Sequence, residues 1–169
     1  MRDLFIQDRD ADLIAATHGR GAWVCDLLPL REFTGAIALQ DSHLFRPDNA
    51  ILWRMTSLGF SGNREYRAAN PPYGTTIYAY LKNLPEKPPS VTIHDVTGKQ
   101  VASLTLKAQK GLQAVQWDAR IGNKLAGKGS YSARMTYGDK TSKQVFALYE
   151  DPQTSAPNDD ATSPAGGQK

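Results

Sequence analysis

Hydrophobic residues alternate with polar ones in short runs along this chain, and glycine, asparagine, aspartate or proline closes almost every run. The pattern is clearest in Val91-Thr-Ile-His-Asp-Val-Thr-Gly-Lys-Gln-Val-Ala-Ser-Leu104, in Gly111-Leu-Gln-Ala-Val-Gln-Trp-Asp118 and in Gly129-Ser-Tyr-Ser-Ala-Arg-Met-Thr-Tyr137. A period of two puts alternate side chains on opposite faces of a strand. Strands are predicted at 75–82, 90–95, 100–107, 113–118, 130–137 and 140–150, with hairpin turns at Thr97-Gly98-Lys99 and Tyr137-Gly138-Asp139. Six short strands at this spacing predict an Ig-like antiparallel β-sandwich over residues 74–150. Its expected core comprises Ile77, Val91, Ile93, Val101, Leu104, Val115, Trp117, Tyr131, Met135, Val145 and Phe146. Trp117 is its expected anchor, because tryptophan buries more area than any neighbour.

Residues 1–55 read differently. Leu13-Ile-Ala-Ala-Thr17 and Ala22-Trp-Val-Cys-Asp26 flank His18-Gly19-Arg20-Gly21, and two glycines within four residues suit a tight reversal. Two strands cannot bury their apolar faces alone, so this hairpin is expected to rely on neighbours supplied by another chain or by upstream sequence. Leu30, Phe33 and Ile37 then recur near helical spacing behind Pro29, which predicts a short helix weakened by Gly35. Extended segments at 43–45 and 50–55 are expected to cover the hairpin. Residues 56–73, rich in glycine, asparagine and proline, predict a linker. Residues 151–169 carry too few hydrophobes to offset their ordering entropy and predict a disordered tail.

Composition narrows the picture. No apolar run approaches the roughly 18 residues needed to cross a bilayer, so no membrane insertion is expected. The first ten residues carry charges where a signal peptide needs an apolar stretch. The net charge of +3 is spread among interleaved acids and bases, which makes no continuous phosphate-tracking stripe and predicts no nucleic-acid partner. A single cysteine, Cys25, excludes an intrachain disulfide and lies in an apolar run, where it reads as a small hydrophobe.

Two stretches carry a resemblance. Asp12-Leu-Ile-Ala-Ala-Thr-His-Gly-Arg-Gly-Ala-Trp-Val-Cys-Asp26, followed by Leu28-Pro-Leu-Arg31, resembles the closing end of sortilin-like β-propellers with BNR (Asp-box) repeats, often labelled glycosyl hydrolases. The Thr-His-Gly-Arg-Gly-x-Trp core is its specific part. Ala69-Asn-Pro-Pro-Tyr-Gly74, the strands from Val91 to Leu104, Trp117-Asp118 and Gly129-Ser-Tyr131 are similar to the Ig-like domain of flagellar hook-capping proteins, which commonly follows such propellers. Cys25 stands where the family has an aliphatic residue, and Ala119-Arg120 replaces a glycine after Trp117-Asp118. The resemblance implies that residues 1–55 are the C-terminal remnant of a propeller whose other blades are not in this chain. It also implies a blade-closing role for His18, Gly19, Arg20, Gly21 and Trp23, and a secreted or periplasmic parent protein. No Asp-box motif is legible.

The chemical candidates are few. His18 and Arg20 on their glycine turn can orient an anion or simply brace the turn. His43 and His94 lack ligand spacing, so no metal and no cofactor are expected. Asp95 and Asp118 end strands at turns, where aspartate is ordinary turn chemistry, and neither forms with Glu65 the carboxylate pair a glycosidase needs. No serine nucleophile elbow or phosphate loop is present, and Gly127-Lys-Gly-Ser130 reads as a turn. Tyr66, Tyr73, Tyr78 and Tyr80 form a possible aromatic platform for a carbohydrate or protein, with Tyr78 and Tyr80 sharing one strand face. These readings predict a non-catalytic accessory module with Trp117 and Tyr131 in its sandwich core. A carbohydrate- or protein-binding module is the alternative, and a glycoside-hydrolase fragment without its active site rests on the family label alone.

Overall fold

The computed structural model describes residues 3–8, 11–19, 21–54, 72–84 and 86–152. The expected linker, apart from Pro72 and Tyr73, lies outside these residues, as does the tail beyond Pro152. The fold is mainly β, and no helix among the described residues is long and apolar enough to cross a membrane.

Three strands open the chain: β1 (Asp3–Gln7), β2 (Asp12–Ala16) and β3 (Ala22–Asp26) form an antiparallel meander in that order. The sequence pattern predicted only the last two. Leu4-Phe-Ile6 is a short apolar run between acids, and its charges mask a strand. The predicted single helix is two short ones, α1 (Leu28–Glu32) and α2 (Gly35–Leu39). Pro29 sits in the first turn of α1, and the break falls at Thr34, whose hydroxyl accepts the Ile37 N–H as a new N-cap.

The segments expected to cover the hairpin instead join the sandwich. β4 (Ser42–Leu44) pairs antiparallel with β6 (Thr75–Leu81), and β5 (Ala50–Leu52) pairs parallel with the end of β13 (Lys140–Glu150). Between them run β7 (Ser90–His94), β8 (Gln100–Thr105), β9 (Gly111–Trp117), the minor hairpin β10 (Arg120–Ile121) and β11 (Lys124–Leu125), and β12 (Gly129–Tyr137). The two sheets are β4-β6-β9 and β5-β13-β12-β7-β8. Asn49 and Gln144 join the two halves of the chain: Asn49 Oδ1 accepts the Ala147 N–H, and Gln144 Nε2 donates to the Leu44 carbonyl.

The core lies between these sheets. Thr75, Ile77, Ala79 and Leu81 point inward from β6, opposite Val91, Ile93, Tyr131, Ala133, Met135, Phe146 and Leu148. Val145 and Phe146 are adjacent, so only one can face inward, and Val145 is the exposed one. Trp117 is 1% exposed, with Tyr131 and Phe146 rings centred 5.4 and 5.7 Å away. Its indole N–H donates to the Arg120 carbonyl, and Tyr131 donates to the Gly127 carbonyl, so both buried polar tips are satisfied.

The turn after Trp117 is correspondingly tight. Asp118 Oδ1 accepts the Arg120 N–H, and Ala119, fully buried, holds a left-handed φ of 53°. Gly74 packs onto this turn with φ +92°, and a Cβ there would stand 2.0 Å from the Trp117 carbonyl oxygen. No side chain fits.

Trp117→Ala should lower stability by about 3–5 kcal/mol in chemical denaturation. Gly74→Ala should cost more than about 1 kcal/mol, because both its backbone region and its space exclude a side chain. An unchanged midpoint for either variant would contradict this core.

Candidate functional site

Strand register decides what the N-terminal sheet presents. Leu4, Ala15 and Trp23 lie in one row across β1, β2 and β3, and Ile6, Leu13 and Cys25 in another on the same face. The opposite face carries Phe5, Ile14 and Val24 in its middle row, with Asp3, Ala16 and Ala22 on one side of it and the polar row Gln7, Asp12 and Asp26 on the other. One face is therefore apolar throughout, and the other is apolar in its middle. A sheet with one face in water alternates polar and apolar positions, whereas one buried on both sides reads as continuous apolar runs. Leu13-Ile-Ala-Ala16 and Ala22-Trp-Val-Cys25 are such runs. Yet Phe5 is 62% exposed on one face and Trp23 71% on the other, with Leu4, Ile6 and Val24 also exposed. Apolar surface of this extent marks an interaction site.

The β2–β3 turn shapes this surface. Thr17 donates both its N–H and its hydroxyl to the Gly21 carbonyl, at 2.9 and 3.1 Å. A Cβ at Gly21 would stand 3.3 Å from Thr17 Oγ1, a tight approach, and 3.6 Å from the Trp23 indole nitrogen, an ordinary contact. Gly19 stays outside the left-handed region, unlike a reversal built on positive φ. His18 is exposed on the turn. Arg20 lies outside the described residues, so the pairing of His18 with Arg20 has no structural description.

The tyrosines divide. Tyr66 also lies outside the described residues. Tyr73 donates to the Trp53 carbonyl at 3.4 Å, and its own carbonyl accepts from Gln116 Nε2 at 2.8 Å. Burial raises its pKa. Tyr78 and Tyr80 share the outer face of β6, which the connecting segment covers. The Phe33 ring meets Tyr80 edge-on at 5.0 Å and stacks near Phe45 at 6.4 Å. Tyr78 feels the charge of Asp26, whose carboxylate accepts the Leu28 N–H at 2.8 Å. Burial first, and the Asp26 carboxylate second, push the Tyr78 phenol up to about 12. Thus Tyr78 and Tyr80 are the seam between the N-terminal segment and the sandwich, while Tyr73 packs against the core beside Trp53.

The remaining polar groups do structural work. Asp95 Oδ1 accepts from the Thr97 hydroxyl and from the N–H groups of Thr97 and Lys99, and the Thr97 bond leads in holding its carboxyl below the usual range. Asp41 and Lys140 pair at 2.6 Å, which lowers the acid and raises the base. His43 lies 3.5 Å from Glu32 and edge-on to Phe45, under the connecting segment. Among the described residues no group of three His, Cys, Asp or Glu side chains is placed to hold a metal ion.

No protein-family model matches the chain, and no curated protein matches it. Solved structures similar to it include PorZ, a bacterial surface component of the type-IX secretion system of Porphyromonas gingivalis, at 20% identity and a TM-score of 0.39. Others are trypsin-activated alpha-2-macroglobulin from Escherichia coli, at 19% and 0.40, and a Salmonella alpha-2-macroglobulin mutant, at 19% and 0.41. The alignments cover 86%, 84% and 83% of this chain, which spans 16%, 9% and 9% of those chains. None of the three is described as a sortilin-like propeller or a hook-capping protein.

The Tyr78 seam yields a pH dependence. Its folded-state pKa lies above the ordinary value of 10.0, so its contribution is complete below about pH 10 and is lost as pH rises towards 12. Denaturation midpoints should fall between pH 10 and 12 in the parent chain and fall less in Tyr78→Phe. Equal falls would show that Tyr78 is not held as described.

Proposed function

We propose that this chain is a non-catalytic accessory module, whose N-terminal sheet serves as an inner layer of a larger β-propeller-type assembly and whose sandwich is a rigid appendage to it. The observation that carries this reading is a three-stranded sheet that exposes large apolar side chains on both faces. A two-fold dimer buries the same face of each copy and leaves the other face bare. Covering both requires a different sheet on each side, as for a blade inside a radial stack of blades. Those neighbouring blades belong to another chain or to another part of the same polypeptide. The motif Thr-His-Gly-Arg-Gly-x-Trp, with its resemblance to sortilin-like propeller ends, points the same way. The hook-capping resemblance of the sandwich accords with an appendage.

Catalysis is assigned to no residue of this chain. Among the described residues, the candidates Asp95, Asp118, His43 and His94 are each bound into turns or packing.

A hydrophobic reporter dye should bind the full chain, and Phe5→Ser and Trp23→Ser should each remove part of the signal, because they lie on opposite faces. The sandwich transition should stay in place in both variants. A signal lost entirely through one substitution would mean that only one face is open, which contradicts an inner layer. A screen with chromogenic glycosides should give no turnover above background, and turnover abolished by His18→Ala would replace this reading with an enzyme.

A further inference from the structure

The outer face of the five-stranded sheet differs from every other face of the molecule. Register places Thr105, Ser90, Thr136 and Thr141 in one row across β8, β7, β12 and β13. The next row is Ser103, Thr92, Arg134 and Lys143, and the one after it is Gln100, His94, Ser132 and Val145. No carboxylate stands in any of these rows. Arg134 and Lys143 are direct cross-strand neighbours, and like charges so placed destabilise a sheet unless an anion lies beside them. Arg134 Nε is buried and has no hydrogen-bond partner among the described residues, a donor that ordinarily finds one. His94 is pinned to this surface, with Nδ1 3.0 Å from the Gly98 carbonyl and Nε2 3.0 Å from the Thr92 hydroxyl.

A cleft of about 590 Å³ continues the face past β13, with Arg46, Asn49, Ser130, Lys143 and Tyr149 in its lining. Asn49 spends its carbonyl oxygen on the Ala147 N–H, which leaves its amide hydrogens for a ligand. Tyr149 is 54% exposed and offers a ring to the apolar side of a sugar.

We propose that this face and cleft bind an acidic polysaccharide, with the uronate carboxylates on Arg134, Lys143 and Arg46 and the sugar hydroxyls on the serine and threonine rows. Arg134 presents a planar fork suited to a carboxylate. The hydroxyl rows step across the sheet at the strand spacing of about 4.8 Å, comparable to one pyranose ring. Three cations are too few for the roughly 6–10 phosphate contacts of a nucleic-acid surface. One tyrosine also makes no series of stacking rings. The inference is independent of the role proposed for the N-terminal sheet.

The test is affinity electrophoresis of the full chain through gels containing polygalacturonate, with neutral dextran and a single-stranded oligodeoxynucleotide as comparison ligands. Polygalacturonate should retard the chain and dextran should not. R134Q/K143Q should weaken retardation by about tenfold or more, and the control K107Q/K110Q, which removes the same charge elsewhere, should leave it unchanged. T136V/T141V should weaken it by about threefold with charge intact. If R134Q/K143Q fails to fold, the exposed single substitution Lys143→Gln gives the same reading. No retardation by polygalacturonate, equal loss in K107Q/K110Q, or oligodeoxynucleotide binding as strong as that of polygalacturonate would overturn the proposal.

Discussion

A β-sheet is stable in water only if its apolar face is covered, and that constraint divides this chain in two. The sandwich meets it internally. Its two sheets close over Trp117, Tyr131 and Phe146, and Gly74 lets the backbone approach the Trp117 turn more closely than any side chain would allow. The N-terminal sheet has apolar residues on both faces and leaves large ones of each in water. A lone three-stranded sheet of this kind is marginal, and its side chains have a use only against other layers.

The connection between the two parts explains how such a sheet is held in place. Asp26 ends β3, accepts the N–H of Leu28 at the start of α1, and acts electrostatically on Tyr78 of the sandwich. Phe33, between the two short helices, packs on Tyr80 and Phe45. These contacts cover the outer face of the small sheet. The large sheet has no such cover from α1 and α2, and its outer face is correspondingly polar. The described residues thus form one covered outer face, one polar outer face and one sheet with exposed apolar residues on both faces.

The sandwich strands from Thr75 to Glu150 are legible in sequence because alternation and turn residues agree there at every step. Alternation assigns Tyr78 and Tyr80 to one face without saying which, and burial of Ile77, Ala79 and Leu81 settles the matter in three dimensions. β4 and β5 are three residues each, too short for a period to register. The parallel partner of β5 lies almost a hundred residues away, so no local pattern encodes it. β1 escapes for a different reason, since acids flank its three apolar residues. The runs at Leu13–Ala16 and Ala22–Cys25 did carry the signal of a doubly buried strand, and the need for neighbours was readable from them. That both faces carry exposed apolar residues is visible only through the register with β1. The cationic face was hidden because Arg134 and Lys143, nine residues apart, become neighbours only by hairpin pairing.

Backbone hydrogen exchange on the full chain, resolved by segment, addresses the central claim most directly. Amides of Asp3–Gln7, Asp12–Ala16 and Ala22–Asp26 should exchange far faster than those of Thr75–Leu81 and Gly129–Tyr137, because uncovered layers open locally at low free energy. Protection of the N-terminal sheet equal to that of the sandwich would show that it is stable without further layers, and would contradict its role as the inner layer of a larger assembly.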